Sequence, residues 1–511
     1  MAEEKKSRLY ALKPLIERWP AVAKPEGHVN FRTKIMWTLL CLVLYYILTN
    51  VMIFGMQQQF VDLFENYRFI MAGSSGSLMH LGIGPIVTAS IILQLFVGAK
   101  IIKLDLTKQE DKAIYQGTQK VLVIVMIFVE AIPQIFGYLR PSDQLVGLVG
   151  GEGMANFVIV MQLVIGALLV FFMDELISKW GIGSGISLFI AAGVSEALFT
   201  GFFNWLPIDP AAAVSLSNPP AGVVPGTYFM ATHMTLEDMV GGGYQLMFVG
   251  RPGVYENAIV PLLGTILIFF VVVYAESSRI ELPLAHGKVR GARGRYPIRL
   301  IYASNIPVIL MAALLANINM FAMLLYQSDL PLLGRQWWLG TYDTSISTQP
   351  LGGGAWYLNG PNGISYWLIP IMSGGDGTHD SLQYALKVII YLAVMIIGSI
   401  LFAKFWIETT DMGPSAVAKQ IQSSDMQIPG FRRDPRILTK VLERYIPVVT
   451  VIGGAAVGAL AGFADLIGTV GRASGTGVLL TVGIMIQLYE QIAREQAMEM
   501  HPVLRGFFGA E

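Results

Sequence analysis

Ten long apolar stretches run through this chain of 511 residues, near 34–54, 83–101, 118–139, 156–177, 184–205, 256–276, 298–326, 382–407, 443–465 and 474–492. Each can cross a bilayer as a helix, which takes ~20 mostly apolar residues. In lipid only helices and closed barrels satisfy their own backbone, and barrel strands would read as ~10-residue segments of alternating polarity. The stretches therefore predict an all-α polytopic membrane protein. If the termini and every second loop share one side, all but six of the 35 Lys and Arg residues fall there. The other side keeps Arg68, Arg140, Arg251, Arg335, Lys387 and Arg472. The positive-inside rule then puts both termini in the cytoplasm and shows the cytosol a broad basic surface.

Composition agrees: 54% hydrophobic and 14% charged residues, with a mean hydropathy of +0.57, leave too little polar surface for a water-soluble body of this length. Formal net charge is zero, so only the distribution of charge across the membrane carries information. Cys41, the single cysteine, lies in the first stretch, which excludes an intrachain disulfide and a multi-cysteine metal site. A polar, charged arm precedes that stretch where a cleaved leader would carry a short apolar segment, so the first span is read as permanent.

The chain divides into a cytoplasmic N-terminal arm (1–33), spans one to five (34–205), an external loop (206–255), and spans six to eight (256–407). The last block includes a basic cytoplasmic loop at 277–299 and a second external loop at 327–381. A cytoplasmic loop (408–442) and spans nine and ten with a cytoplasmic tail (443–511) complete it. The external loops are rich in Gly, Pro and aromatic residues, and their Trp337-Trp338 pair reads as an interfacial anchor. The two long cytoplasmic loops are basic. Alternation of Gly with Arg and Lys across 287–295 suits a phosphate backbone, which points to an RNA-containing partner beside the plainer role of orienting the chain.

Residues 57–80 are amphipathic, with Asp62, Glu65, Asn66 and Arg68 among Phe60, Leu63, Phe64 and Tyr67. Amphipathicity alone favours a segment lying flat on the outer interface, the alternative being one folded into the bundle. Directly after it, Gly82, Gly84 and Pro85 predict a break where the second span begins. Polar residues inside spans are functional candidates by default: Thr88, Gln94, Glu130, Asn305, Asn317 and Lys404. Glu130 reads as the one clear mid-span acid, too little for a proton relay. No phosphate loop, zinc-protease helix or nucleophile elbow is present, and the six histidines lack metal-ligand spacing, so neither an enzyme nor a cofactor is expected.

Five motifs, taken in order, carry a family resemblance: Leu81-Gly82-Ile83-Gly84-Pro85-Ile86-Val87-Thr88-Ala89, Gly181-Ile182-Gly183-Ser184-Gly185-Ile186, Pro283-Leu284-Ala285-His286-Gly287, Ser304-Asn305-Ile306-Pro307-Val308-Ile309-Leu310 and Gly475-Thr476-Gly477-Val478-Leu479-Leu480. Over nearly its whole length the chain resembles the SecY family, the large subunit of the protein-conducting channel, in its archaeal form. The resemblance implies ten transmembrane helices in two pseudo-symmetric five-helix halves around an hourglass pore. Through that pore unfolded polypeptide crosses the membrane, or leaves sideways into lipid.

Motif matching carries the family's apolar pore ring to Ile83, Val87, Ile186, Ile190, Ile309 and Leu480, and its lateral-gate polar cluster to Thr88, Glu130 and Asn317. Residues 57–80 then correspond to the plug, which contradicts the flat reading. Arg279, Arg290, Arg293, Arg432 and Arg433 match the ribosome-docking loops. Implied partners are a SecE-type and a beta-type small subunit forming a heterotrimer, the ribosome, signal sequences, nascent polypeptides and the lipid bilayer of the cell membrane. The rival class, a secondary transporter, predicts a polar midplane site, where this sequence offers aliphatic residues. A membrane scaffold without a pore would need neither plug nor ring.

Overall fold

The computed structural model describes residues 8–18, 20–27, 29–57, 71–99, 101–102, 104, 106, 108–137, 139–209, 211–250, 256–286, 293–299, 305–327, 336–342, 349–410, 412–423, 426–427, 435–471 and 473–500. Ten helices match the ten apolar stretches: α1 (Phe31–Asn50), α2 (Gly84–Gly98), α3 (Gln109–Gly137), α4 (Glu152–Trp180), α5 (Gly185–Phe203), α6 (Ile259–Ser277), α7 (Ile306–Gln327), α8 (Ser381–Thr409), α9 (Pro435–Ile467) and α10 (Gly475–Met500). Among the described residues nine are long and apolar enough to span a membrane. The exception is α2, whose 15 residues reach only about 22 Å at 1.5 Å per residue. Exposed faces of the long helices carry apolar side chains, including Leu39, Val43 and Ile47 on α1 and Ile389 and Ile397 on α8. Water would penalise that surface at about 25 cal/mol per Å², whereas hydrocarbon does not.

Two groups of five pack around one continuous core. In the first, α1 lies against α4 and α5, α2 against α3, and α4 against α3 and α5. In the second, α8 packs along α9 and α7, while α10 packs on α6 and α9. The groups meet along two seams. On one, α2 touches α7 and α8, and α3 touches α7; on the other, α5 and α1 touch α10. Local chemistry fixes several helix ends. The N-terminus of α5 is satisfied from the preceding helix, because Asp174 on α4 accepts from the Ile186 N–H at 2.9 Å. A proline in the first turn opens α2, where its missing N–H costs nothing.

The basic loop before the seventh span is partly a sheet. Strand β1 (Arg279–His286) pairs antiparallel with β2 (Arg293–Arg299), and β3 (Met426–Gln427) adds to the other edge of β1 through Ala285↔Gln427 and His286↔Met426. One hairpin thus joins the two long basic loops, a small addition to an otherwise helical fold. It also corrects a boundary: the seventh span, expected from 298, begins as helix at Ile306, because residues 298–299 are drawn into β2.

Candidate functional site: a buried apolar cluster and a polar seam

Residues 71–83 fold back into the bundle before α2 begins. The Ile83 N–H donates to the Met71 carbonyl at 2.7 Å, and the Gly82 N–H donates to Met79 O at 3.1 Å. Gly82 has φ +54°, and a Cβ there would run into the Met71 carbonyl. The loop is pinned from two sides. Tyr45 on α1 donates its hydroxyl to Ala72 O at 3.1 Å, and the Leu78 N–H donates to Val51 O at 2.9 Å. On α4, Gly166 makes room for the Leu78 backbone. Ser77, Met79 and His80 are buried. Residues 71–80 are therefore not flat on an interface, as amphipathicity alone favoured. Many of their backbone groups pair inside the protein, as irregular chain at membrane depth requires. The rest of that segment, 58–70, lies outside the described residues.

Four helices bring the six ring candidates to one core. Ile83 and Val87 come from the start of α2, Ile190 from α5, Ile309 from α7 and Leu480 from α10, and all five are buried in the same cluster. Ile186, one turn before Ile190, is partly buried and packs against it. The residues meet here because α2, α5, α7 and α10 are the helices that form the two seams.

The three polar candidates also converge. Asn317 on α7 donates Nδ2 to Thr88 Oγ1 on α2 at 3.0 Å and to its own helix at Ala313 O, 2.9 Å away. Thr88 in turn donates its hydroxyl to Gly84 O at 2.9 Å. Glu130 on α3 is buried beside them, within hydrogen-bonding reach of Thr88. One carboxylate oxygen sits where a Gly84 Cβ would come within 2.9 Å, so glycine at 84 makes room for it. The cluster thus joins α2, α3 and α7 across the seam between the halves.

The other polar candidates scatter. Gln94 and Asn305 are buried, Asn305 as the residue whose carbonyl accepts from Val308 and Ile309 at the head of α7, while Lys404 is exposed. Of the arginines that the resemblance offers for docking, Arg279 is exposed and pairs with Glu490 Oε1 on α10 at 3.4 Å, and Arg293 opens β2. Arg290, Arg432 and Arg433 lie outside the described residues.

Sequence reasoning missed three constellations. Asp465 near the end of α9 is fully enclosed and accepts from Tyr391 Oη (2.7 Å), Thr476 N–H (2.8 Å) and Thr476 Oγ1 (2.6 Å), which ties α8, α9 and the start of α10. Its place at the edge of an apolar stretch was the available signal, and Glu130 is thus not the sole buried acid. Glu175 on α4 pairs with Lys120 and with Lys179 at 2.7 Å, and accepts from the Val22 N–H at 3.1 Å, strapping the N-terminal arm to the bundle. Lys34 on α1 reaches Glu495 on α10 at 2.7 Å, a tie between the halves on the face that carries the termini.

Comparison with known proteins matches this geometry. The family model described as SecY covers residues 77–489, and one described as the plug domain of Sec61p covers 43–76. A protein translocase subunit SecY of Haloferax volcanii is 47% identical over 517 residues, spanning 98% of this chain and 99% of its own length. A solved structure described as that of a protein conducting channel is 38% identical with a TM-score of 0.73, covering 96% of this chain and 98% of that one. Sec61 in a canine ribosome-channel complex from the endoplasmic reticulum is 37% identical with a TM-score of 0.70, again covering 96% of this chain and 98% of that one.

Proposed function

The chain belongs to the SecY family, and from that premise we propose how its own residues conduct polypeptide as the channel subunit of a protein translocase. It is a multi-pass membrane protein whose role is passage rather than catalysis. Ile83, Val87, Ile186, Ile190, Ile309 and Leu480 form the waist of the pore. Aliphatic side chains there exclude water and ions by dewetting, yet hold an extended chain only weakly, because they offer it no directional bonds. Residues 57–80 act as the plug, and the Met71–Ile83 hydrogen bond makes the end of the plug continuous with the ring.

The seam of α2 and α3 against α7 is the lateral gate. The observation that carries this reading is the Asn317–Thr88 hydrogen bond beside buried Glu130. Around this cluster the two halves share an apolar core, so the seam closes on contacts that a polar or apolar newcomer can replace. An inserting signal sequence offers hydrocarbon in exchange for these contacts, and a gate of modest energy opens to it.

Direction comes from outside, since the chain carries no nucleotide-binding motif. The ribosome docks on the hairpin of β1 and β2 and on the loop held to it by β3, with Arg279, Arg290, Arg293, Arg432 and Arg433 facing rRNA phosphates. Both termini lie in the cytoplasm of a cell membrane, following the distribution of Lys and Arg. SecE-type and beta-type small subunits complete a heterotrimer. A photocrosslinker placed in turn at Ile83, Ile186 and Ile309 tests the conducting route. Capture of a ribosome-held nascent chain at all three positions is expected; no capture at any, together with solute uptake by reconstituted vesicles, would move the assignment to a transporter.

A further inference from the structure

The loop between α5 and α6 builds a small helical unit that the channel reading leaves without a role. A helix at Val223–His233 packs on α5, and a short one at Tyr244–Phe248 packs on both that helix and α6. Between them, a Thr235/Asp238 capping box starts a helical run that kinks at Gly242, φ +127°. Leu236 and Val240 before this kink, and Tyr244 and Phe248 after it, recur every four residues and make an apolar stripe along the segment. They are 85%, 80%, 58% and 47% exposed.

We infer that this stripe lies in the bilayer's headgroup–acyl boundary and anchors the α5–α6 connection to lipid. Three observations select lipid as the occupant. First, the stripe grows less exposed toward α6, on which Tyr244–Phe248 packs and which has exposed apolar residues of its own, Leu263 and Leu267. It therefore extends a surface that already faces hydrocarbon. Second, the exposed Trp205 stands at the outer end of α5, and the next residue, Leu206, accepts from the Ala221 N–H at 2.8 Å at the base of the unit. An exposed tryptophan at the end of a spanning helix marks headgroup level. Third, no Lys or Arg occurs between Lys179 and Arg251, and the charges beside the stripe are Glu237 and Asp238. Apolar insertion, not attraction to anionic headgroups, must hold the unit in place.

The test uses the full chain with buried Cys41 replaced by Ala, a single cysteine at Val240, and an environment-sensitive fluorophore attached. The carrier is a phosphatidylcholine vesicle whose acyl chains are brominated near the headgroup. A probe at exposed Thr378 serves as the aqueous reference. The expected result is quenching by the brominated lipid and several-fold weaker quenching by iodide than at 378, unchanged in high salt. Equal iodide access at both positions would overturn the inference. So would a probe at 240 shielded from iodide and bromolipid alike, which would mean that protein, such as a second copy of this chain, covers the stripe. A repeat at Leu236 guards against a local effect of labelling.

Discussion

Asn317 on α7 donates its amide to the hydroxyl of Thr88 on α2 at 3.0 Å, so a polar pair bridges the seam along which the two halves meet. Because Thr88 also serves Gly84 O and lies by Glu130, removing either partner disturbs a shared network. Interhelical hydrogen bonds within membranes contribute about 0.6 kcal/mol on average and up to about 1.7 kcal/mol. Asn317→Leu should therefore favour the parted state by roughly three- to twentyfold, since about 1.4 kcal/mol is tenfold. Single-channel open probability of Asn317→Leu, Thr88→Val and the double variant, read as a cycle, measures the coupling. Additive effects would mean the pair does not bias the gate.

The turn into α2 depends on glycine at 82. With φ +54° and a Met71 carbonyl where a Cβ would lie, Gly82→Ala takes on a left-handed conformation that costs a non-glycine residue about 1–2 kcal/mol, besides a backbone clash. The loop must shift, and the Met71–Ile83 hydrogen bond goes with it. Lower thermal stability and a resting ion leak are expected together. Gly147→Ala is the comparison: it sits in a short helix with nothing within 4 Å of a Cβ and should neither lower stability nor cause a leak. A Gly82→Ala protein as tight and as stable as the parent would refute the coupling of plug and ring.

What could be seen in the sequence followed from the solvent. A bilayer demands long apolar helices, so all ten were legible, although α3 and α9 begin eight or nine residues before their apolar stretches, α10 runs eight past its own and α7 starts eight late; the break expected at Gly82–Pro85 falls where α2 begins. The basic loops were less legible. A Gly- and Arg-rich segment has no strong strand pattern, and β1 becomes a central strand only because β3, about 140 residues later, pairs with it. Thr88, Glu130 and Asn317 stood out singly as polar residues in apolar helices, but that they share one seam depends on how the helices pack. The pore candidates were invisible as such: Ile190 and Leu480 look like any buried aliphatic residue, and only the resemblance distinguished them. The Lys34–Glu495 tie escaped because nothing local links residues 461 positions apart.

On the distal side, Asp376 provides a pH-dependent clasp for the loop leading into α8. Partial burial pushes its carboxyl up, but hydrogen bonds from Tyr384 Oη (2.7 Å), the His379 N–H (2.7 Å) and Thr378 N–H and Oγ1 (2.9 and 2.8 Å) outweigh it and hold the group well below the usual carboxylate range. A depressed carboxylate stabilises the fold above its unfolded value, ~3.9, and that contribution is lost as pH falls through the folded value. The melting temperatures of the parent and Asp376→Asn should differ most near neutrality and converge in acid. Curves that stay parallel below about pH 4 would show that the carboxylate charge is not what holds the clasp.

Pairing of β3 with the last residues of β1 brings the segment before Arg432 and Arg433 to the turn end of the hairpin. Replacing both arginines by Glu should weaken ribosome binding. It should also flatten the dependence of log affinity on log salt by roughly 1.4–1.8, the loss of two phosphate contacts at about 0.7–0.9 each. Cosedimentation of ribosomes with reconstituted channels across a salt series reads both quantities. An unchanged slope would place the contact elsewhere on the basic face.

Ile83 and Ile309, both assigned to the proposed pore ring, come from opposite halves, at the start of α2 and on α7, and both are buried in the shared core. A ring that seals by dewetting depends on having no hydrogen-bonding group at its surface. Asn at both positions supplies amides on which water can nucleate, so Ile83→Asn with Ile309→Asn should conduct small ions in a planar bilayer while the parent does not. General loosening is a competing cause, since a buried, unsatisfied amide costs about 1–3 kcal/mol wherever it is placed. Leu163→Asn separates the two: Leu163 is fully buried on α4, away from either seam, and its replacement destabilises without wetting the pore. Leak in the double variant alone locates the seal at the ring. Equal leak from Leu163→Asn would reduce the ring to ordinary core, and no leak from a folded double variant would remove these two residues from it.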